Sequence, residues 1–340
     1  FEKLFALKLG VKKNSTIAVS SCTAALELIL KSLCLKKKDE VLMPSLTFVA
    51  DANSVINAGG KPVFVDINSK YDLNIDVRDL EKKINKNTKA VIIVHYAGFP
   101  CDIKKILSLK KKYKFFLIED SCHALFSRLN DKKLGSFGDA SVFSFYSNKN
   151  MTTAEGGMIY SKDVNTFKKL KKMKNHGITK SLMERHNKLP GYDVILSGNN
   201  YRFDDIRASI GLIQLRDLEK KNKIRKRIAK RYISLIEKHK LNIILPFKKF
   251  IKDQVSHHLF VIILKNNINR NKVFKNLIKQ KIFLSYHYTP LHDLKFYRKN
   301  YRLKKLDKIK DKLISLPIHP YLKFEEQKKI ILSLKKILNN

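Results

Sequence analysis

The sequence predicts an α/β protein: a large domain on a mostly parallel sheet flanked by helices, then a smaller α+β domain. Three observations carry this. Short apolar runs alternate with amphipathic helical stretches through the first half of the 340 residues. Several runs, such as AVIIV at 90–94, are apolar at every position, as strands covered on both faces are. Beyond about residue 240 the alternation gives way to a shorter mixed pattern.

The elements follow in order. Ser15–Ser20 reads as a short strand, and Ala24–Leu35 as the apolar helix after it. Val41–Met43 is the next strand, before a helix starting near Thr47. Pro62–Asp66 and Ala90–Val94 are strands. Asp102–Lys112 is a helix with Ile103, Ile106 and Leu109 as its apolar stripe. Phe115–Glu119, Ala140–Phe145 and Gly157–Ser161 are further strands. From Phe203 to about His239 the pattern is helical and heavily charged. Strand His258–Leu264, helix Asn271–Gln280 and helix Phe324–Leu338 close the chain. The large domain is expected over 1–240 and the small one over 241–340. Loops after parallel strands gather at one edge of the sheet, where a ligand is expected.

Composition narrows the class. Apolar residues make up 44% and charged residues 29%, a globular balance that excludes wholesale disorder. No run approaches the ~18 apolar residues a membrane helix needs. The net charge is +40, from 70 Lys+Arg against 30 Asp+Glu. Such a charge attracts anions, and a non-catalytic basic binding protein is one reading of it. The lysines are spread end to end, however, with no basic tail and no RNP-like or zinc-finger motif. They read as a solvated surface, with no nucleic-acid or membrane partner expected. Cys22, Cys34, Cys101 and Cys122 lie far apart without a CxxC, as in a reduced, cytoplasmic protein. No metal site is expected.

Three clusters could carry chemistry. The first is SFYSNKNMTTAEGG over 144–157. One more surface lysine is the ordinary reading of Lys149 in so lysine-rich a chain. Its setting raises it above that: a polar turn at the end of a buried strand, with Ser144, Ser147, Asn148, Thr152 and Thr153 around it. A partly desolvated lysine there can act as a nucleophilic amine. The second cluster is FFLIEDSCH over 115–123, where Asp120 ends an apolar strand. It could face a cleft and hold a cation, or merely cap the next element. The third is SSCTAAL over 20–26, a strand-to-helix turn whose N–H groups and hydroxyls suit an anion. A reactive lysine, a carboxylate for a ring nitrogen and a helix N-terminus for a phosphate are the three groups pyridoxal 5′-phosphate (PLP) requires.

With these residues assembled, the chain resembles the DegT-type sugar aminotransferases, PLP enzymes of the fold-type-I aminotransferase architecture. The likeness runs almost end to end. It includes AVSSCTAALELIL at 18–30, MPSLTFVADANSVINAGGKPVFVD at 43–66, VHYAGFPCD at 94–102 and IEDSCHAL at 118–125. It continues through FSFYSNKNMTTAEGGMI at 143–159, NHGITK at 175–180, YDVILSGNNYRFDDIRASIGLIQL at 192–215, HYTPLH at 287–292 and SLPIHP at 315–320. The resemblance implies that Lys149 is the lysine carrying the cofactor and that Asp120 pairs with the pyridine nitrogen. It implies His123 against the phenolic oxygen, Phe48 stacked on the ring, and Cys22, Thr23 and Ser144 at the phosphate. Asn200 would reach the phosphate of a neighbouring subunit, which implies a homodimer with shared active sites. The family also has a further segment before Phe1, so this chain is expected to lack one.

The implied reaction moves an amino group from an amino acid, L-glutamate, to a nucleotide-linked keto sugar, a 4-keto-6-deoxy sugar, for cell-surface polysaccharide or glycan synthesis. A 3-keto sugar or a cyclitol ketone is the alternative acceptor. Departures fall at Cys22, Ala154 and Phe126, where the family commonly carries glycine, and at Asn199, where it carries an aromatic residue. None removes a catalytic group. A dehydratase branch of the family carries His in place of the lysine, and Lys149 argues against it. Arg202 and some of the lysine excess are candidates for the diphosphate. Tyr286, His287, Tyr288 and His292 are expected at the rim of the site, and His257, His258 and His319 as ordinary polar residues.

Overall fold

In a computed structural model of the chain, residues 1–179, 191–250, 254–265, 268–298 and 301–339 are described. The elements of the first half are α1 (Glu2–Leu9), β1 (Thr16–Val19), α2 (Cys22–Ser32), β2 (Glu40–Pro44), α3 (Val49–Asn57) and β3 (Lys61–Val65). Then come β4 (Ile67–Ser69), β5 (Asp72–Ile75), α4 (Val77–Lys83), β6 (Thr88–Val94), α5 (Ile103–Tyr113) and β7 (Phe116–Asp120). A small hairpin, β8 (Arg128–Leu129) and β9 (Lys132–Lys133), precedes β10 (Ala140–Ser144), β11 (Gly157–Ser161) and α6 (Val164–Met173). The remainder is α7 (Asp205–Lys238), β12 (Ile243–Ile244), β13 (Phe260–Leu264), α8 (Arg270–Lys279), β14 (Leu313–Leu316) and α9 (Phe324–Asn339).

The main sheet has seven strands in the order β1-β11-β10-β7-β6-β2-β3. β10, β7, β6, β2 and β3 run parallel, and β11 is antiparallel to both its neighbours. The unbroken apolar runs are explained by what covers them. In β6, Ala90 and Ile92 join the core on one face, while Val91 and Ile93 join the core on the other. A strand whose two faces are both buried has no polar alternation to show.

The C-terminal sheet is β12-β13-β14, antiparallel. Its strand β13 also serves two cores. Phe260, Ile262 and Leu264 pack with α8, α9 and the second half of α7, whereas Val261 and Ile263 pack with the core of the large sheet. The helix α7 runs from a further cluster, where Leu215 and Leu218 pack with Phe5, Phe143 and Phe145, into the C-terminal core at Ile228, Tyr232 and Ile236.

Several boundaries differ from expectation. The first apolar helix starts at Cys22 and ends at Ser32, because Cys34 turns to φ 54°. The helix expected near Thr47 starts at Val49, with Phe48 as its cap. Elements α1, β4, β5, α4, β8, β9, α6, β12 and β14 were not expected from the sequence. Among the described residues, no helix is long and apolar enough to cross a membrane. Lys180, the last residue of the NHGITK stretch, lies outside the described residues.

Candidate active site

The ends of β1, β2, β6, β7 and β10 surround a cavity of about 270 Å³. It is lined by Ser21, Cys22, Thr23, Thr47, Phe48, Asp51, Val94, Asp120, Cys122, His123, Ser144 and Lys149, and by His287 and Tyr288 from the C-terminal part. Each lining segment follows from a local cause.

At α2, Ser21 is extended at φ −161° and its side chain accepts from the Ala24 N–H at 3.1 Å. That N-cap leaves the Cys22 and Thr23 N–H groups, which a helix cannot pair internally, at a cavity wall. The turn packs directly on β11. A Cβ at Gly157 would come within 2.7 Å of the Ser21 carbonyl and 2.8 Å of the Cys22 nitrogen, so no other residue fits there without moving the turn.

Alternation along β7 decides between its two terminal acids. Glu119 points into a closed structural network. Its carboxylate accepts from the N–H groups of Gly135, Phe137 and Gly138 at 2.9, 2.7 and 2.6 Å and lies 2.9 Å from His95 Nε2. Asp120, one residue on, faces the cavity, and its Oδ1 accepts from the Cys122 N–H at 2.9 Å.

Lys149 follows β10, with its N–H on the Tyr146 carbonyl at 3.0 Å. It is half-buried, and no carboxylate pairs with its ammonium among the described residues. The turn is anchored by the next residue. Asn150 Nδ2 donates to Asn222 Oδ1 and to the Ser256 carbonyl, both at 2.8 Å, and Asn150 Oδ1 lies 3.0 Å from His258 Nδ1.

Burial and the Lys149 charge push His123 and His258 well below the ordinary histidine value, and His287 down to about 4. The site is therefore lined by neutral imidazoles. His123 Nδ1 accepts from the Ala97 N–H at 3.3 Å, which assigns the ring proton to Nε2, 2.9 Å from the Tyr288 hydroxyl. Asp51, also in the cavity lining, is raised well above the ordinary carboxyl value, by burial first and then by Asp120. Its Oδ2 accepts from Thr47 Oγ1 at 2.5 Å, while its buried Oδ1 has no partner.

The structure thus brings Cys22, Thr23, Phe48, Asp120, His123, Ser144 and Lys149 to one cavity. Asn200 is not among the lining residues; it is exposed and forms an isolated bridge with Asn175. Arg202 is also outside the lining and donates to Asn175 Oδ1 at 2.7 Å. His292, expected at the rim, is buried between Ser45 Oγ at 2.7 Å and Asp307 Oδ1 at 3.0 Å. Tyr286 instead carries Arg270 over its ring at 3.9 Å. Apart from its place four residues after Thr47 in a helix start, nothing in the sequence singles out Asp51, while Cys122 reads as a reduced cysteine and His258 as an ordinary polar residue.

The donor set fits PLP: an unpaired amine, a buried carboxylate, a helix N-terminus and a partly exposed aromatic, Phe48, meet around one cavity. The partnerless Asp51 oxygen is a further polar group facing that space.

The chain is similar to known proteins over almost its whole length. The profile of the DegT/DnrJ/EryC1/StrS aminotransferase family matches residues 1–335. The chain is 34% identical to the spore coat polysaccharide biosynthesis protein SpsC of Bacillus subtilis, over 99% of this chain and 88% of that one. It is 34% identical to the UDP-4-amino-4,6-dideoxy-N-acetyl-beta-L-altrosamine transaminase of Campylobacter jejuni, over 96% and 86%. Among solved structures it resembles Helicobacter pylori PseC, an aminotransferase involved in the biosynthesis of pseudoaminic acid. There the TM-score is 0.92 and the identity 30%, covering 99% of this chain and 90% of that one.

Proposed function

The chain belongs to the DegT/DnrJ/EryC1/StrS aminotransferase family and is a PLP-dependent aminotransferase, and from that premise we propose the substrates and the residues that serve them. The amino donor is L-glutamate. The acceptor is a nucleotide-linked keto sugar, of the 4-keto-6-deoxy type, destined for cell-surface polysaccharide. Likeness to SpsC and to the Campylobacter transaminase supports this substrate class. The observation that carries the assignment of residues is the meeting of Lys149, Asp120 and the α2 N-terminus around one cavity.

Bound PLP supplies an electron sink for the pair left when the donor loses its α-proton. The other work falls to the protein. Lys149 would hold the cofactor, and its Nζ would take the donor's α-proton and return it. Asp120, a buried carboxylate at the cavity, would favour a protonated ring nitrogen. The Cys22 and Thr23 N–H groups, the Thr23 hydroxyl and the Ser144 hydroxyl bind the phosphate. His123, held neutral, presents an N–H donor at Nε2.

The active unit is a homodimer with shared sites, Asn200 reaching the partner's phosphate. Its exposure supports this, as does the apolar stripe just beyond it on α7. Ile206 and Ile213 there are 77% and 63% exposed, and Ile210 39%.

Lys149→Ala tests the assignment. Transamination should fall by more than the ~10²–10⁴ of acid–base catalysis alone, because the covalent anchor goes with the proton carrier. Borohydride should fix the cofactor to a Lys149 peptide of the wild type and to no peptide of the variant. A variant keeping a substantial fraction of kcat overturns the assignment. Turnover with glutamate over UDP-, dTDP- and GDP-linked keto sugars tests the acceptor, with a 3-keto sugar and a cyclitol ketone as the outcomes that would replace it.

A further inference from the structure

The cavity floor brings together two cysteines 100 residues apart in sequence. Cys22 opens α2 directly after its cap, and Cys122 lies two residues beyond the end of β7. Their sulfurs are 2.9 Å apart. A disulfide requires about 2.05 Å, so a closure of roughly 0.9 Å separates contact from bond. The other two thiols are engaged elsewhere: Cys101 donates to the Val94 carbonyl at 3.2 Å, and the exposed Cys34 to the Ser32 carbonyl at 3.8 Å. Both Cys22 and Cys122 line the cavity, so a small solute reaches them through its mouth.

We propose that Cys22 and Cys122 form a dithiol modification site, which hydrogen peroxide closes to a disulfide by way of the cofactor cavity. Cys22 sits in the first turn of an 11-residue helix, where the dipole favours a thiolate, and is the attacking sulfur. It bonds to one peroxide oxygen, the O–O bond breaks, and the other oxygen leaves as water with the thiol proton. Cys22 is then a sulfenic acid. The Cys122 sulfur attacks the Cys22 sulfur, the S–O bond breaks, and the hydroxide leaves as water with the Cys122 proton. Two thiols are oxidised to one disulfide, and one peroxide is reduced to two waters.

The surroundings set the rate. The Cys122 hydrogen bond draws the Cys22 thiol down, but burial and the Asp120 carboxylate leave it above its ordinary value. Burial, the Cys22 contact and Asp120 push Cys122 well up. The reaction is slow at neutral pH and quickens as the pH rises. The bond would tie the first turn of α2 to the loop carrying Asp120 and His123.

A cofactor filling the cavity shields the pair. This arm rests on the reading that PLP occupies the cavity; the crosslink does not. Cofactor-stripped protein and holoenzyme are treated with peroxide near pH 8.5, about the unperturbed thiol pKa. They are then denatured, titrated for thiols and mapped by peptide mass. The stripped protein should lose two of its four thiols. It should yield a Cys22–Cys122 peptide pair lighter by two hydrogens. PLP at ten times its Kd should slow the loss about 10-fold, by mass action. Cys34→Ser should still lose two thiols. Cys122→Ala should form no disulfide and leave a Cys22 sulfenic acid that dimedone traps; if that variant does not fold, Cys22→Ser should likewise give no crosslink. Retention of all four thiols, or disulfides to Cys34 or Cys101, overturns the site. Equal rates in a holoenzyme that keeps its visible absorbance overturn the approach through the cavity. A protein that takes up no PLP at Lys149 counts against the cofactor reading, and the crosslink in the stripped protein still decides the site.

Discussion

The imidazole of His258 lies against that of His123, with ring centroids 4.5 Å apart. Its Nδ1 is at the same time on Asn150, the residue after Lys149. One buried ring from the C-terminal part therefore backs a cavity wall and pins the turn that carries the amine.

The pair also makes stability depend on pH. Burial, then the Lys149 charge, hold both rings well below the ordinary histidine value. Below about pH 6.5 the unfolded chain binds protons at these positions and the folded chain does not. Stability is thus full above about pH 6.5 and falls as the pH drops. Each ring should contribute about 1.4 kcal/mol per pH unit in that window. Denaturant unfolding of His258→Gln between about pH 6.5 and 5 should show a slope shallower by that amount. Parallel slopes in variant and wild type would show that His258 carries its proton in the fold.

Asp120→Asn should weaken catalysis more than cofactor binding. The amide oxygen can still accept from the Cys122 N–H, which the carboxylate Oδ1 now does at 2.9 Å. The turn should survive, as should the phosphate contacts at Cys22, Thr23 and Ser144. What is lost is the charge that keeps the ring nitrogen protonated, and kcat should fall about 10²–10³-fold. Equal kcat in both proteins, measured with saturating PLP, would leave Asp120 as no more than a cap.

Much of this was legible in the sequence, for identifiable reasons. Strands such as Ala90–Val94 announce themselves because both faces are buried. The three chemical clusters could be read because each sits where a strand ends. The missing pieces depend on contacts a local pattern does not carry. The helix α6 buries only Leu170 and Met173, too few positions to set a period against its lysines. His258 reads as polar because its partners, His123 and Asn150, lie more than a hundred residues away in sequence. The Cys22–Cys122 contact is hidden for the same reason.

Two of the three departures from glycine, Ala154 and Phe126, have a common backbone cause and opposite energetics. Ala154 has φ 64° and Phe126 φ 62°, both left-handed. That conformation costs an L-residue about 1–2 kcal/mol, and glycine's greater freedom when unfolded returns about 0.5–1 of it. Ala154 is exposed and packs on little, so Ala154→Gly should stabilise by about 0.5–1 kcal/mol, read as a higher denaturation midpoint. Phe126 is buried, 5.7 Å from the Phe5 ring and with Lys133 Nζ 4.7 Å over its own. Its removal should cost about 3–5 kcal/mol, which outweighs the relief of strain, so Phe126→Gly should destabilise. A lower midpoint for Ala154→Gly would mean that residue 154 is not left-handed in solution.

Asn200 gives the sharpest test of the proposed dimer. It is exposed and stands apart from the cavity of its own chain, yet it precedes the exposed stripe of Ile206, Ile210 and Ile213. If it serves the neighbour's site, Lys149→Ala and Asn200→Ala subunits should complement when mixed. A heterodimer would then hold one site with both lesions and one with neither. Up to about half of wild-type activity per heterodimer should return, provided separate sites act independently. Asn200→Ala alone must first be seen to lose PLP faster than the wild type. With that established, mixed dimers no more active than their parents would place Asn200 in the service of its own subunit, and the shared-site reading would fail.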